Sequence, residues 1–377
     1  MKSISISPAV QRGIYALCSF FFVLAGSLLI REKTFDNDYP YLRIGGDASA
    51  YIAMAEGSAE SVAAPFRYRV IFPMIASIFD APATAVFRLI NKASLFFFYL
   101  IAFLICDHRK IPSAISVTAV AFVFLSPWHL YIYQNPFITD GLVQLMMIVM
   151  LYAVTKKQLW LFAATAAAGV FTHERILFLL PLWFMVHNKK QGTTILLAVV
   201  ILYAGMRITV ENGIGAIAQD LPSGIALFNS PFLLTKDAII GSAPLYIVAL
   251  TGLLMMSRDE MIAVRPIVAV YGAAAFIPAL VATDTGRMLI GFSPAAIVLS
   301  AYFFSTGRFS SWNSGILFFS LLIALAYLPV TIVPIAEWLF YRKYVIAGSF
   351  VMLCICYGKS IVPFISIIKS TAAKFFR

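Results

Sequence analysis

Apolar stretches of about twenty residues recur along the chain, separated by short clusters of lysine and arginine, and this alternation limits what it can fold into. Inside a bilayer there is no water to satisfy backbone polar groups, so each such stretch must close its own hydrogen bonds as a helix. The pattern predicts about 12 spans, at 12–30, 84–106, 111–127, 138–155, 158–171, 176–187, 193–210, 240–257, 262–282, 288–305, 313–334 and 344–365. The expected fold is all-α: one polytopic transmembrane domain over residues 1–377, with two sizeable loops at 31–83 and 211–239. Composition agrees, because only 12% of residues are charged and the mean hydropathy is +0.90, whereas a soluble domain is about a quarter charged. Lys2 and Arg12 ahead of the apolar run Ile14 to Ile30 imitate a signal peptide. The run is nearly twice a typical signal core, so we read it as a retained span.

A net charge of +11 would suggest nucleic acid in a soluble protein. Here the cations stand in clusters between apolar spans, the arrangement that fixes topology, so nucleic-acid binding is excluded. Lys2 with Arg12, Arg109-Lys110, Lys156-Lys157, Lys189-Lys190, Arg258 with Arg265, Arg308, and Lys369, Lys374 and Arg377 all fall on one side. That side is expected to be cytoplasmic, with both termini in it. Short loops and basic ends suit a bacterial inner membrane. The cytoplasmic loops are too short for a nucleotide-binding domain, and neither G-x-x-x-x-G-K nor G-x-G-x-x-G occurs. Any activated donor must then come from the membrane or from the far side. Cys18, Cys106, Cys354 and Cys356 lie in apolar runs and behave as small hydrophobes.

Two polar features interrupt this scaffold. The first runs from Gly45 to Pro73, in the loop that topology puts on the outer face. A Gly-Gly turn precedes Asp47, and a helix-like run with Tyr51 and Glu56 follows. Asp47 reads either as a helix cap or as an exposed general base that takes a proton from an acceptor hydroxyl. Asp36, Asp38, Glu56 and Glu60 share the loop and carry less weight, since nothing rigid holds them. Arg67 and Arg69 alternate with Phe66 and Tyr68. In an extended segment both guanidiniums would share a face and clamp a phosphate; the plain reading is anchoring at headgroup depth. Residues 69–80 are apolar but too short to cross, which predicts a short interfacial helix.

The second feature is His173-Glu174-Arg175. The run from Lys157 to Thr172 gives roughly 22 Å of helix, and the return to His187 is shorter, so neither crosses about 30 Å of hydrocarbon. A hairpin that turns inside the membrane is expected, its charges facing a watery or protein-lined cavity. The bland version pairs Glu174 with Arg175; the functional one sets Arg175 or His173 against a lipid phosphate. Asp140, which opens a span after the aromatic segment Tyr131 to Pro136, can cap its helix, bind a sugar hydroxyl or orient an arginine. Asp284 and Arg287 stand three apart where a span reaches the outer surface; the bland version pairs them as i,i+3 neighbours, and the functional one has Arg287 face the same cavity. His173-Glu174 lacks the second histidine of a zincin motif.

Taken in order, the loop aspartate, P-F-R-Y-R at 65–69, T-D at 139–140, T-H-E-R at 172–175 and D-x-x-R at 284–287 resemble the GT-C superfamily of integral membrane glycosyltransferases. The resemblance implies a polyprenyl-phosphate-linked sugar as donor, a glycan or glycolipid hydroxyl as acceptor, and an inverting single displacement. It implies Asp47 as base and Arg67, Arg69, Arg175 and Arg287 as donor-phosphate ligands. Tyr51, Tyr68, Asp140, His173, Glu174 and Asp284 would complete the substrate site, without a cofactor. Asp47 is followed by Ala48-Ser49 rather than by a second carboxylate, a departure that argues against a metal. Rival readings are a flippase or transporter of lipid-linked sugars, a glycan polymerase or ligase, and a non-enzymatic assembly subunit. The first predicts inverted repeats, which the sequence does not display.

Overall fold

The computed structural model describes residues 7–30, 32, 47–59, 62, 66–209, 245–246, 248–281 and 289–305. Among them the fold is all-helical, with no strand. The helices are α1 (Pro8–Leu29), α2 (Asp47–Ala55), α3 (Ile71–Ser77), α4 (Ala83–His108), α5 (Ser113–Phe124), α6 (Pro127–Gln134) and α7 (Asp140–Thr155). They continue with α8 (Leu159–Val170), α9 (Pro181–Val186), α10 (Lys189–Thr209), α11 (Arg258–Val281) and α12 (Ser293–Ser305). Short 3-10 turns at Phe66–Tyr68, Glu174–Leu179 and Ile290–Phe292 join them. Four helices, α1, α4, α10 and α11, are long and apolar enough to cross a membrane. The predicted spans at 313–334 and 344–365 lie outside the described residues, as does the loop 211–239.

Local chemistry explains several boundaries. Ser7 caps α1 by accepting the Val10 N–H, and Pro8 fits the first turn, where an N–H has no helical partner. The span expected at 111–127 ends early, with α5 stopping at Phe124. Ser126-Pro127 starts a new helix, because proline cannot donate to the preceding turn. The first loop holds α2, a 3-10 turn and α3, so short helices stand where they were expected. On and just after α3, Met74, Ile78 and Phe79 are exposed.

α4 is the central strut, packed on α1, α5 and α7. Aromatic side chains fill the first seam: Tyr15 stacks on Phe103 at 4.9 Å and Phe22 on Phe124 at 5.2 Å. At the second seam Gly141 of α7 lies against Asn91 of α4, where a Cβ would collide with the Asn91 side chain. A separate cluster of Tyr51, Phe72, Phe87 and Phe137 seats the first loop on the bundle, with Phe72 stacked on Phe87 at 4.3 Å.

The bundle has two chemically different ends. At one, Gln11 donates to Asp107 at 2.9 Å, Lys156 donates to His108 at 3.0 Å and His187 donates to the Val154 carbonyl at 2.7 Å. These contacts gather the α1 start, the α4–α5 and α7–α8 turns and the α9–α10 turn, and with them most of the described lysines. Lys110 and Lys157 have φ of 59° and 58° and close Schellman motifs. Lys110 N bonds Asp107 O at 2.8 Å and Ile111 N bonds Cys106 O at 3.0 Å, while Lys157 N bonds Val154 O at 3.2 Å and Gln158 N bonds Ala153 O at 2.8 Å. Lysine accepts the left-handed strain there while its charge meets the negative end of the helix dipole. The other end carries α2, α3, the start of α7 and the turn between α8 and α9.

Candidate functional site

The first loop and the α8–α9 turn are joined side chain to side chain. Arg69 follows the 3-10 turn and is 6% exposed. Its Nε donates to Glu174 Oε2 at 3.1 Å and its Nη2 to Glu174 Oε1 at 2.6 Å, a bidentate fork on one carboxylate. Its Nη1 donates to the Tyr51 hydroxyl at 3.0 Å, and the guanidinium lies 5.3 Å from the Phe66 ring centre. The backbone repeats the link, since Ile71 N bonds Phe171 O at 3.3 Å. Tyr51 is fully buried, held edge-on by Phe66 and Phe72.

Glu174 and Arg175 do not pair with each other. Successive residues of a 3-10 turn point about a third of a revolution apart, so Glu174 turns to Arg69 and Arg175 to Asp140. The Arg175 Nη2 to Asp140 Oδ1 distance is 3.7 Å, with both side chains buried. Asp140 is the first helical residue of α7, and Thr139 at the cap position makes no side-chain cap bond. Of the three roles open to Asp140, orienting an arginine has a counterpart in this contact. The stem of Arg175 runs beside Gly291. His173 caps the turn, its Nδ1 accepting the Arg175 N–H at 3.2 Å. A nitrogen that accepts this bond carries no proton, so its 3.5 Å approach to Glu174 is a contact between neutral imidazole and carboxylate.

Electrostatics follow from these pairings. Burial disfavours the Glu174 charge, and the bidentate Arg69 fork restores it. Burial also works against the Arg69 charge, and Glu174 and Tyr51 more than restore it. Burial raises the Tyr51 hydroxyl, which Arg69 only partly offsets. The Arg69–Glu174 pair is therefore ionised, and Tyr51 protonated, through the physiological range.

Asp47 opens α2 at partial exposure, one helical turn before Tyr51 and within its electrostatic reach. α2 ends on Gly57, whose φ of 86° closes a third Schellman motif. Arg67 does not share a face with Arg69 as an extended strand would require. The 3-10 turn over Phe66–Tyr68 splays them, leaving Arg67 half-exposed and without a hydrogen bond or ion pair among the described residues. Tyr68 is buried beside it. Asp284 and Arg287 lie outside the described residues. Among the described residues no group of three His, Cys, Asp or Glu side chains stands ready to hold a metal ion.

Sequence reasoning missed one contributor. Arg207, near the end of α10, stacks on the Tyr68 ring at 4.0 Å and donates from Nε and Nη2 to the Tyr203 hydroxyl at 2.9 and 2.7 Å. A cation at the end of a span away from every basic cluster was the signal available for it. No protein-family profile, curated protein or solved structure matches this chain.

Proposed function

We propose that this protein is an integral membrane glycosyltransferase. It moves a sugar from a polyprenyl-phosphate donor to a hydroxyl of a glycan or glycolipid on the outer face of the membrane. The observation that carries the reading is the Arg69–Glu174 fork, which unites two polar motifs 105 residues apart into one cluster with Tyr51, at the end of the bundle away from the lysine turns. A charged site at that end of an apolar bundle suits a substrate delivered through lipid and an acceptor delivered from water.

In this reading about twelve spans carry the site, both termini are cytoplasmic, and the chain resides in a bacterial inner membrane. Asp47, half-exposed at the start of α2, takes the proton of the acceptor hydroxyl. The freed oxygen attacks the anomeric carbon, and the bond to the phosphate oxygen breaks with its electron pair going to phosphate. The products are an inverted glycoside and polyprenyl phosphate. Charge accumulates on the leaving phosphate, where fixed cations lower the barrier most. Arg67 has no hydrogen bond or ion pair among the described residues and is available to the phosphate; Arg69 holds loop to hairpin, Arg175 is aimed by Asp140, and Arg287 supplies a further cation. Tyr68, Tyr51, His173, Glu174 and Asp284 shape the surrounding pocket.

The test uses purified protein, a polyprenyl-phosphate sugar and an envelope glycolipid fraction, following the sugar by mass. Wild-type protein transfers it to the acceptor and the Asp47→Asn variant, inserted and folded, does not. Wild-type turnover by Asp47→Asn removes Asp47 as base. A donor that crosses the bilayer with its sugar still attached identifies a flippase instead.

A further inference from the structure

Arg207 is a buried cation that meets no anion among the described residues. It is 8% exposed, yet among the described residues no carboxylate reaches it; its partners are the Tyr203 hydroxyl and the face of Tyr68, both neutral. Nearby, Glu174 is already engaged by Arg69, and Tyr203 stands within electrostatic reach of both. Among the described residues, the Arg207, Tyr203 and Tyr68 contacts thus bring a positive charge and no negative one. Burying a guanidinium is costly, and a ring face with one hydroxyl compensates only in part. Two further features define what completes it. Accepting two guanidinium N–H bonds leaves the Tyr203 O–H proton free to donate. From its middle to its end α10 exposes apolar side chains at Leu197, Ile201, Leu202 and Ile208, which is the surface a lipid tail would follow.

We propose that Arg207, Tyr203 and Tyr68 form a binding site for a lipid-borne phosphate at the junction of α10 and the first loop. The free edge of the guanidinium and the Tyr203 O–H donate to phosphate oxygens. Tyr68 holds the guanidinium plane, and the acyl or prenyl chain lies along the exposed face of α10. Such a ligand enters sideways from the bilayer, and Arg67, on the same 3-10 turn as Tyr68, adds charge from the aqueous side. The site goes beyond the transfer reading, because it requires lipid binding but no chemistry.

The test is ligand-dependent thermal stabilisation of the full chain in nonionic micelles. The probes are phosphatidic acid, undecaprenyl phosphate, phosphatidylcholine and inorganic phosphate. Phosphatidic acid and undecaprenyl phosphate are expected to raise the melting midpoint of the wild type, whereas phosphatidylcholine and inorganic phosphate at the same concentration leave it in place. Arg207→Ala weakens the apparent affinity about tenfold or more, the loss expected for a charge-assisted pair. Arg207→Lys falls between, since it keeps the charge but loses the fork. If Arg207→Ala is not recovered folded, Tyr203→Phe decides: affinity weaker by about threefold or more supports the site, and wild-type affinity overturns it. Equal binding by Arg207→Ala overturns the site, and equal protection by inorganic phosphate overturns the lipid as its source. Arg207-dependent binding without sugar transfer would refute the transfer reading and leave this site standing.

Discussion

Arg69 commits every arm of its guanidinium, two to Glu174 and one to Tyr51. Removing the Glu174 charge leaves a buried cation with a tyrosine and a ring edge. Glu174→Gln is expected to destabilise the protein by about 1–2 kcal/mol. That is less than the loss for a fully enclosed pair, because the Glu174 side chain keeps 33% of its exposure. A double-mutant cycle with Arg69→Met, read by unfolding in mixed micelles, should return most of that as coupling between the two residues. Additive effects would mean that the fork contributes little. Sequence alone singled out both residues through polarity in an apolar context. It did not reveal their partnership: the natural reading pairs Glu174 with its neighbour Arg175, and only the 3-10 geometry of the turn sends the two apart. Asp140 was legible as a polar residue at a helix start, but its approach to Arg175 depends on how α7 meets the hairpin. The same blindness hid Arg207, whose meaning rests on Tyr68, a residue 139 positions earlier.

Among the described residues, helices were legible where hydropathy was continuous, and their ends were legible only to within a few residues. The short hairpin was anticipated from counting residues, and α8 with 12 residues and α9 with 6 keep it short. The break at Ser126-Pro127 was lost because an apolar tally ignores the missing proline N–H. The lysine-closed Schellman motifs were equally invisible, since Lys110 and Lys157 read as topology signals and give no sign of left-handed backbone. Interhelical distance is set by small residues, and Gly141 is the clearest case. Gly141→Ala would push its Cβ into the Asn91 side chain, which donates to the Ile132 carbonyl at 3.1 Å. Overpacking at that seam, together with disturbance of a buried amide bond, is expected to cost about 1–3 kcal/mol. The measurement is the melting midpoint against Gly13→Ala, where α1 has open space around the glycine. A Gly141→Ala protein as stable as Gly13→Ala would mean that α4 and α7 are not packed this closely.

Across the whole molecule, the two ends of the bundle carry the functional account. Among the described residues, one collects helix-terminal lysines; the other collects the first loop, the hairpin turn and Arg67, Arg69, Arg175 and Arg207. If the bundle spans a membrane as proposed, single cysteines at Lys157 and at Glu56 must react with an impermeant thiol reagent from opposite sides. Lys157→Cys is expected to label only after the inner face is opened, and Glu56→Cys in intact cells. Labelling of both from one side would remove the separation between donor and acceptor approach. That separation is an expectation from the charge pattern of the sequence, whereas the joining of loop and hairpin by Arg69 and Glu174 required the fold. The most direct measurement of the central claim is release of polyprenyl phosphate from polyprenyl-phosphate sugars by the purified protein, because the proposed transfer yields this product whatever the sugar. Acceptor-dependent release by the wild type, lost on Asp47→Asn, is the predicted result; donors that stay intact across a full panel of sugars and envelope acceptors would contradict it.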